Sequence, residues 1–195
     1  MRYLVLFSLL LPNWVFSQSD IAIGDWKAHL NYSQAFKSVE TNDFIYCATR
    51  YGLFNINIQD NSSQTLSKVD GLSGVEIAQI GYDETNNLVF VAYKDGNIDI
   101  IGDRTITNAS FISATQTVVG SKQVNNFYFY DNRAYISTSF GVVVYDMGSG
   151  LVAESYLNLS PTGNKLEIYD LAVFKDRIYV ATPIGLRSVS LAEEV

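Results

Sequence analysis

A ten-residue phrase recurs four times at a nearly constant interval: IYCATRYGLF from Ile45, VFVAYKDGNI from Val89, AYISTSFGVV from Ala134 and IYVATPIGLR from Ile178. Three residue classes stay in register throughout. Aromatics fall at Tyr46, Phe90, Tyr135 and Tyr179, small residues at Ala48, Ala92, Ser137 and Ala181, and glycines at Gly52, Gly96, Gly141 and Gly185. A period in the low forties, built from short alternating runs, marks a β-propeller blade. The predicted fold is therefore all-β, with blades of four antiparallel strands and about four blades present.

Turn residues divide each repeat into strands. The first blade is predicted at Ala35–Val39, Phe44–Ala48, Leu53–Ile58 and Gln64–Lys68, and the second at Val75–Tyr82, Leu88–Tyr93, Ile98–Ile101 and Thr105–Ile112. The third takes Val124–Tyr130, Arg133–Thr138, Val142–Asp146 and Val152–Leu157. The fourth offers three strands, Ile168–Phe174, Arg177–Ala181 and Leu186–Leu191, without an outer one.

Side chains two apart on a strand share a face, so each repeated aromatic and its small neighbour are expected in the core between blades, not on a ligand-stacking surface. The repeated glycine stands where the second and third strands turn, and a positive φ is expected there.

Residues 1–17 read as a secretory signal peptide, with Arg2, an uncharged run from Tyr3 to Leu11, and cleavage expected after Ser17. The run is too short to span a bilayer and is interrupted by Pro12 and Asn13. The propeller domain is then residues 18–195, with no transmembrane segment. A formal charge of −7 and no cluster of Lys or Arg argue against nucleic acid as a partner.

The residues that could carry chemistry are few. His29 is the one histidine, which excludes a multi-histidine metal site, and no sequence neighbour supplies a nucleophile for it to activate. Cys47, the one cysteine, occupies the position of Val91, Ile136 and Val180 and is expected to be a small core side chain. The acidic stretches Asp83–Asn87 and Asp95–Asp99 hold oxygen ligands but lack a calcium-loop spacing, so both read as hairpin turns. Gly71, Gly74 and Gly81 do not form a phosphate loop. Asn31, Asn61, Asn108 and Asn158 match the glycosylation acceptor pattern, which an Asn- and Ser-rich chain produces easily. No catalytic, metal or cofactor-binding residue is predicted, and no cofactor.

The opening GDWKAHLNYS with Trp26 and His29, the phrase Leu66-Ser-Lys-Val-Asp-Gly-Leu-Ser73, and Gly96-Asn-Ile-Asp-Ile-Ile101 resemble the N-terminal propeller of PorZ-type proteins of the type IX secretion system of Bacteroidetes. The resemblance implies a non-catalytic exported component, in the periplasm or at the outer-membrane surface, carrying seven-bladed propellers. It also implies protein partners, among them a PorU-type sortase with PorV and PorQ. The family's handling of anionic lipopolysaccharide belongs to a C-terminal domain that is not expected here.

On this reading the chain is part of a seven-bladed ring. The alternative is a closed four-bladed ring in which Trp26–Leu30 supplies the missing outer strand. A second functional reading is the ligand-sensing propeller of a two-component regulator. A propeller hydrolase would need carboxylates converging at the central opening.

Overall fold

A computed structural model describes residues 30–103 and 105–191. The predicted signal peptide, Trp26 and His29 lie outside the described residues.

Among the described residues, fifteen strands form four antiparallel meanders. The first sheet orders β1 (Ala35–Glu40), β2 (Phe44–Thr49), β3 (Leu53–Asn57) and β4 (Ser63–Leu66) side by side. The second comprises β5 (Ile77–Asp83), β6 (Leu88–Tyr93), β7 (Ile98–Ile101) and β8 (Ile106–Ala109). The third comprises β9 (Val124–Tyr130), β10 (Arg133–Thr138), β11 (Gly141–Asp146) and β12 (Leu151–Tyr156). The fourth has β13 (Asp170–Phe174), β14 (Arg177–Thr182) and β15 (Gly185–Ser190). First strands touch in succession, β1 with β5, β5 with β9 and β9 with β13, which sets them along a common axis.

Three apolar cores hold the sheets together, one at each junction. Tyr46, Ala48 and Leu53 of the first blade pack on Val89, Val91 and Tyr93 of the second. Phe90, Ala92 and Ile98 pack on Phe127, Ala134 and Ile136 of the third, and Tyr135, Val142 and Val144 on Leu171, Ile178 and Val180 of the fourth. The aromatic and small face of one blade thus meets the β-branched face of the next. Rings interlock at the middle junction, with Phe90 5.6 Å from Phe127 and 5.2 Å from Phe129 at tilted angles, the offset geometry aromatic pairs prefer.

No such core joins the fourth sheet to the first among the described residues, so the sheets form an open arc and not a closed four-bladed ring. The expected burial of the repeated aromatic holds at Tyr46, Phe90 and Tyr135, whereas Tyr179 is half-buried and Ala181 exposed because no blade among the described residues covers their face.

The turn between second and third strands has a shared lock. Thr49, Thr138 and Thr182 each donate their hydroxyl to the carbonyl of the repeated glycine, at 2.8, 2.7 and 2.6 Å. Gly96, Gly141 and Gly185 have positive φ as expected, but Gly52 does not. Its need for glycine is steric: an added Cβ would lie 2.6 Å from the Tyr32 ring.

Two outer strands are shorter than predicted. Strand β4 stops at Leu66 instead of Lys68, because Ser67 and Asp70 form a reciprocal capping box around a 3-10 turn at Lys68–Asp70. Strand β8 stops at Ala109 instead of Ile112, where Ala114 N–H bonds to the Ser110 carbonyl and turns the chain.

Candidate interaction surface at the blade axis

The axial strands carry a polar side chain at one repeated level. Across the first hairpin of each blade, the small residue faces Lys37, Gln79, Asn126 and Asp170 in turn, through the pairs Lys37–Ala48, Gln79–Ala92, Asn126–Ser137 and Asp170–Ala181. Directly opposed residues share a face, so Lys37, Gln79 and Asn126 lean toward the following blade, and Asp170 stands at the same level of the last described one. A register irregularity precedes this level in β1 and β5, and β9 has one beside it, re-aiming the strand edge.

These side chains are joined into a belt. The Gln79 amide donates to the Asn125 carbonyl at 2.6 Å, and the Asn126 amide to the Asp170 carboxylate at 2.5 Å. The Asn125 amide reaches the Ile168 carbonyl at 2.8 Å and Glu167 at 3.4 Å. Lys37 reaches past the second blade to donate to Asn126 Oδ1 at 3.2 Å. Burial lowers the Lys37 pKa below the ordinary lysine value, and the charge of Asp170 opposes that shift. The belt offers an amine, amide groups and carboxylates for hydrogen bonding to a polar partner.

Two clefts lie away from the axis. One of about 460 Å³, between the first two blades, is lined by Phe44, Tyr46, Asn55, Gln64, Asp70 and Asp103. The other, of about 160 Å³ between the second and third blades, is apolar, with Phe111, Ile112, Val118, Phe140 and Val152 in its walls.

The residues weighed from sequence are placed elsewhere. Asp83 folds onto its own turn, accepting from the backbone of Thr85 and Asn86, both at 3.2 Å, and from the Asn86 amide at 2.6 Å. Asp95 accepts from the Asn97 backbone at 2.9 Å, while Asp99 is fully buried and bonded to Ser73, Tyr93 and Asn108. Asp83 and Asp95 thus sit in the hairpin turns expected for their stretches, whereas Asp99 is a buried residue of β7 and not part of a turn. Asn108 is engaged with Asp99 and Ser73. At Gly81 an added Cβ would stand 2.8 Å from Phe127, so close packing and not a phosphate explains that glycine.

Cys47 departs from expectation. It is only half-buried, on the face of β2 that no described blade covers, although burial still raises its thiol pKa. Among the described residues no three His, Cys, Asp or Glu side chains cluster as a metal site requires, and no helix is long and apolar enough to cross a membrane.

The axial belt was missed from the sequence because strand register decides it. Counting back across each first hairpin from the repeated small residue would have found its members.

Comparison with known proteins gives one family. The profile of the PorZ N-terminal β-propeller domain matches residues 45–194. No curated protein matches. Among solved structures, PorZ of Porphyromonas gingivalis, described as an essential surface component of the type IX secretion system, is similar at TM-score 0.67 and 21% identity, over 80% of this chain and 22% of that one. The extracellular domain of a putative one-component system of B. thetaiotaomicron is similar at TM-score 0.63 and 17% identity, over 83% of this chain and 20% of that one. A WD40 domain of Sif2 is similar at TM-score 0.53 and 15% identity, over 77% and 41%. The chain spans about a fifth of the length of the first two.

Proposed function

Because the chain belongs to the PorZ N-terminal β-propeller family, we propose that it is a non-catalytic, exported scaffold of the type IX secretion system that binds protein partners through its blade surfaces. The family match over residues 45–194 carries this reading. The axial belt and the clefts between blades supply surfaces for partners. The partners proposed are a PorU-type sortase and the other attachment-complex components, at the periplasmic or outer-membrane side, with residues 1–17 as the export signal and residues 18–195 as the propeller domain. A role in anionic lipopolysaccharide handling would be indirect.

Deleting the gene tests the reading. Cargo that normally reaches the cell surface should accumulate unattached, and a tagged copy of the protein should co-purify with the sortase after cross-linking. Normal cargo attachment in the deletion strain would overturn it.

A second reading, a sensor propeller, is favoured by the likeness to extracellular domains of one- and two-component systems. It predicts intact cargo attachment and a lost transcriptional response in the same strain.

A further inference from the structure

The connection between the second and third blades is built as a strap over an apolar pocket. It leaves β8 after Ala109, turns where the Ala114 N–H bonds to the Ser110 carbonyl, and rejoins the sheet at Val124. Ile112 and Val118 of the strap are buried in the core between these blades, and Phe111 stacks on Tyr145 with ring centroids 5.1 Å apart. Two ammonium groups fix the backbone between these anchors. Lys122 donates to the carbonyls of Ser113 at 2.6 Å and Thr115 at 2.7 Å, and Lys165, from the connection leading to the fourth blade, donates to the Thr117 carbonyl at 2.6 Å.

Beneath the strap, a space of about 160 Å³ separates it from Phe140, Val143, Val152 and Leu157 on the side of the third blade. None of the residues lining it is charged. Its polar groups are the hydroxyls of Thr115, Thr117 and Ser155, and the two threonines bond to one another at 3.1 Å. Empty space among apolar side chains forfeits their dispersion contacts and destabilises the fold, so an apolar occupant is favoured. An apolar cavity of about 150 Å³ stays free of water and takes up benzene, which sets the size of that occupant at one ring. An ionised molecule would lose its hydration here and gain no charged partner. Because the strap is tied down at Ser113, Thr115 and Thr117, a small free molecule suits this space better than a side chain carried on a partner's backbone.

We propose that the pocket under the strap binds a free, uncharged small molecule with one aromatic ring. Both of its walls lie between the second and third blades, away from the axial belt. The inference does not rest on the secretion role proposed above.

Toluene is the probe, and benzoate, of similar size but charged, is the control. In methyl NMR spectra of the purified chain, toluene should shift the signals of Ile112, Val118, Val143, Val152 and Leu157 saturably, whereas benzoate should leave them in place. Val152 is 39% exposed at the edge of the pocket, so a larger side chain has room there. Val152→Phe should fill the space and weaken toluene binding about tenfold or more while the melting transition persists. Ser155→Leu, at a second exposed lining position, makes the same test should the first variant fail to fold. Absence of a saturable shift up to the solubility of toluene overturns the proposal. So does toluene binding that the folded variants leave unchanged, or benzoate binding as tightly as toluene.

Discussion

Ser73 delivers both its backbone N–H and its hydroxyl to the Asp99 carboxylate, each at 2.7 Å. The carboxylate is fully buried and also accepts from the Tyr93 hydroxyl at 2.6 Å and the Asn108 amide at 3.0 Å. A buried charge is tolerated only when its lone pairs are satisfied, and here four donors satisfy them. The bond ties the segment entering the second blade to its third strand. It joins Leu66–Ser73 to Gly96–Ile101, two of the stretches that carry the family resemblance.

Asp99→Ala should therefore destabilise the protein by about 3 kcal/mol, since the buried Tyr93 hydroxyl and the N–H and hydroxyl of half-buried Ser73 would lose their acceptor. Ser73→Ala should cost about 1 kcal/mol, because Asp99 keeps its other partners. Urea unfolding of both variants checks the order; equal midpoints for Asp99→Ala and wild type would remove the network from the account.

Gly96→Val should cost about 2 kcal/mol or more. Gly96 has φ of 84°, and a Cβ there would stand 2.7 Å from the Lys122 carbonyl, so backbone and space both object. Thermal melting reads the loss, and an unchanged transition temperature would refute it.

At the axial belt, Asn126→Ala removes the acceptor of Lys37 and the donor to Asp170, and a loss of about 1–2 kcal/mol is expected. Lys37→Met should be nearly neutral, because burial already disfavours the charged amine and the methionine keeps the apolar stem. Denaturation midpoints would expose the error if the lysine variant proved the weaker of the two.

Alkali should unfold the protein. Burial holds the phenols of Tyr46, Tyr93, Tyr135, Tyr145 and Tyr156 above the ordinary tyrosine pKa of 10.0, and at Tyr93 and Tyr156 the neighbouring carboxylates of Asp99 and Glu154 add to the shift. The unfolded chain loses these protons first, so the stability they supply is complete below about pH 10 and declines above it. Phenolate absorbance should rise together with loss of structure; ionisation of all tyrosines in a still-folded protein would contradict the shifts.

The blade was legible from local pattern alone. Alternation and turn residues placed β6, β7, β9 and β10 at the bounds they have, because a strand with one aromatic row and one β-branched row can bury both only between two other sheets. Repetition also identified the aromatic and small residues as the interlocking face. Local propensity was less informative at outer strands, where Ser67 and Asp70 capped a turn that apolar patterning had extended as strand.

Which repeats are covered depends on packing between blades, since Tyr135 and Tyr179 are the same residue in the same phrase and differ in what packs on them. It also decided the axial belt, because Lys37, Gln79, Asn126 and Asp170 share no local motif and meet through strand register and blade stacking. Periodicity is a property of neighbours along the chain, whereas burial and hydrogen bonding at the axis depend on contacts between residues far apart in it.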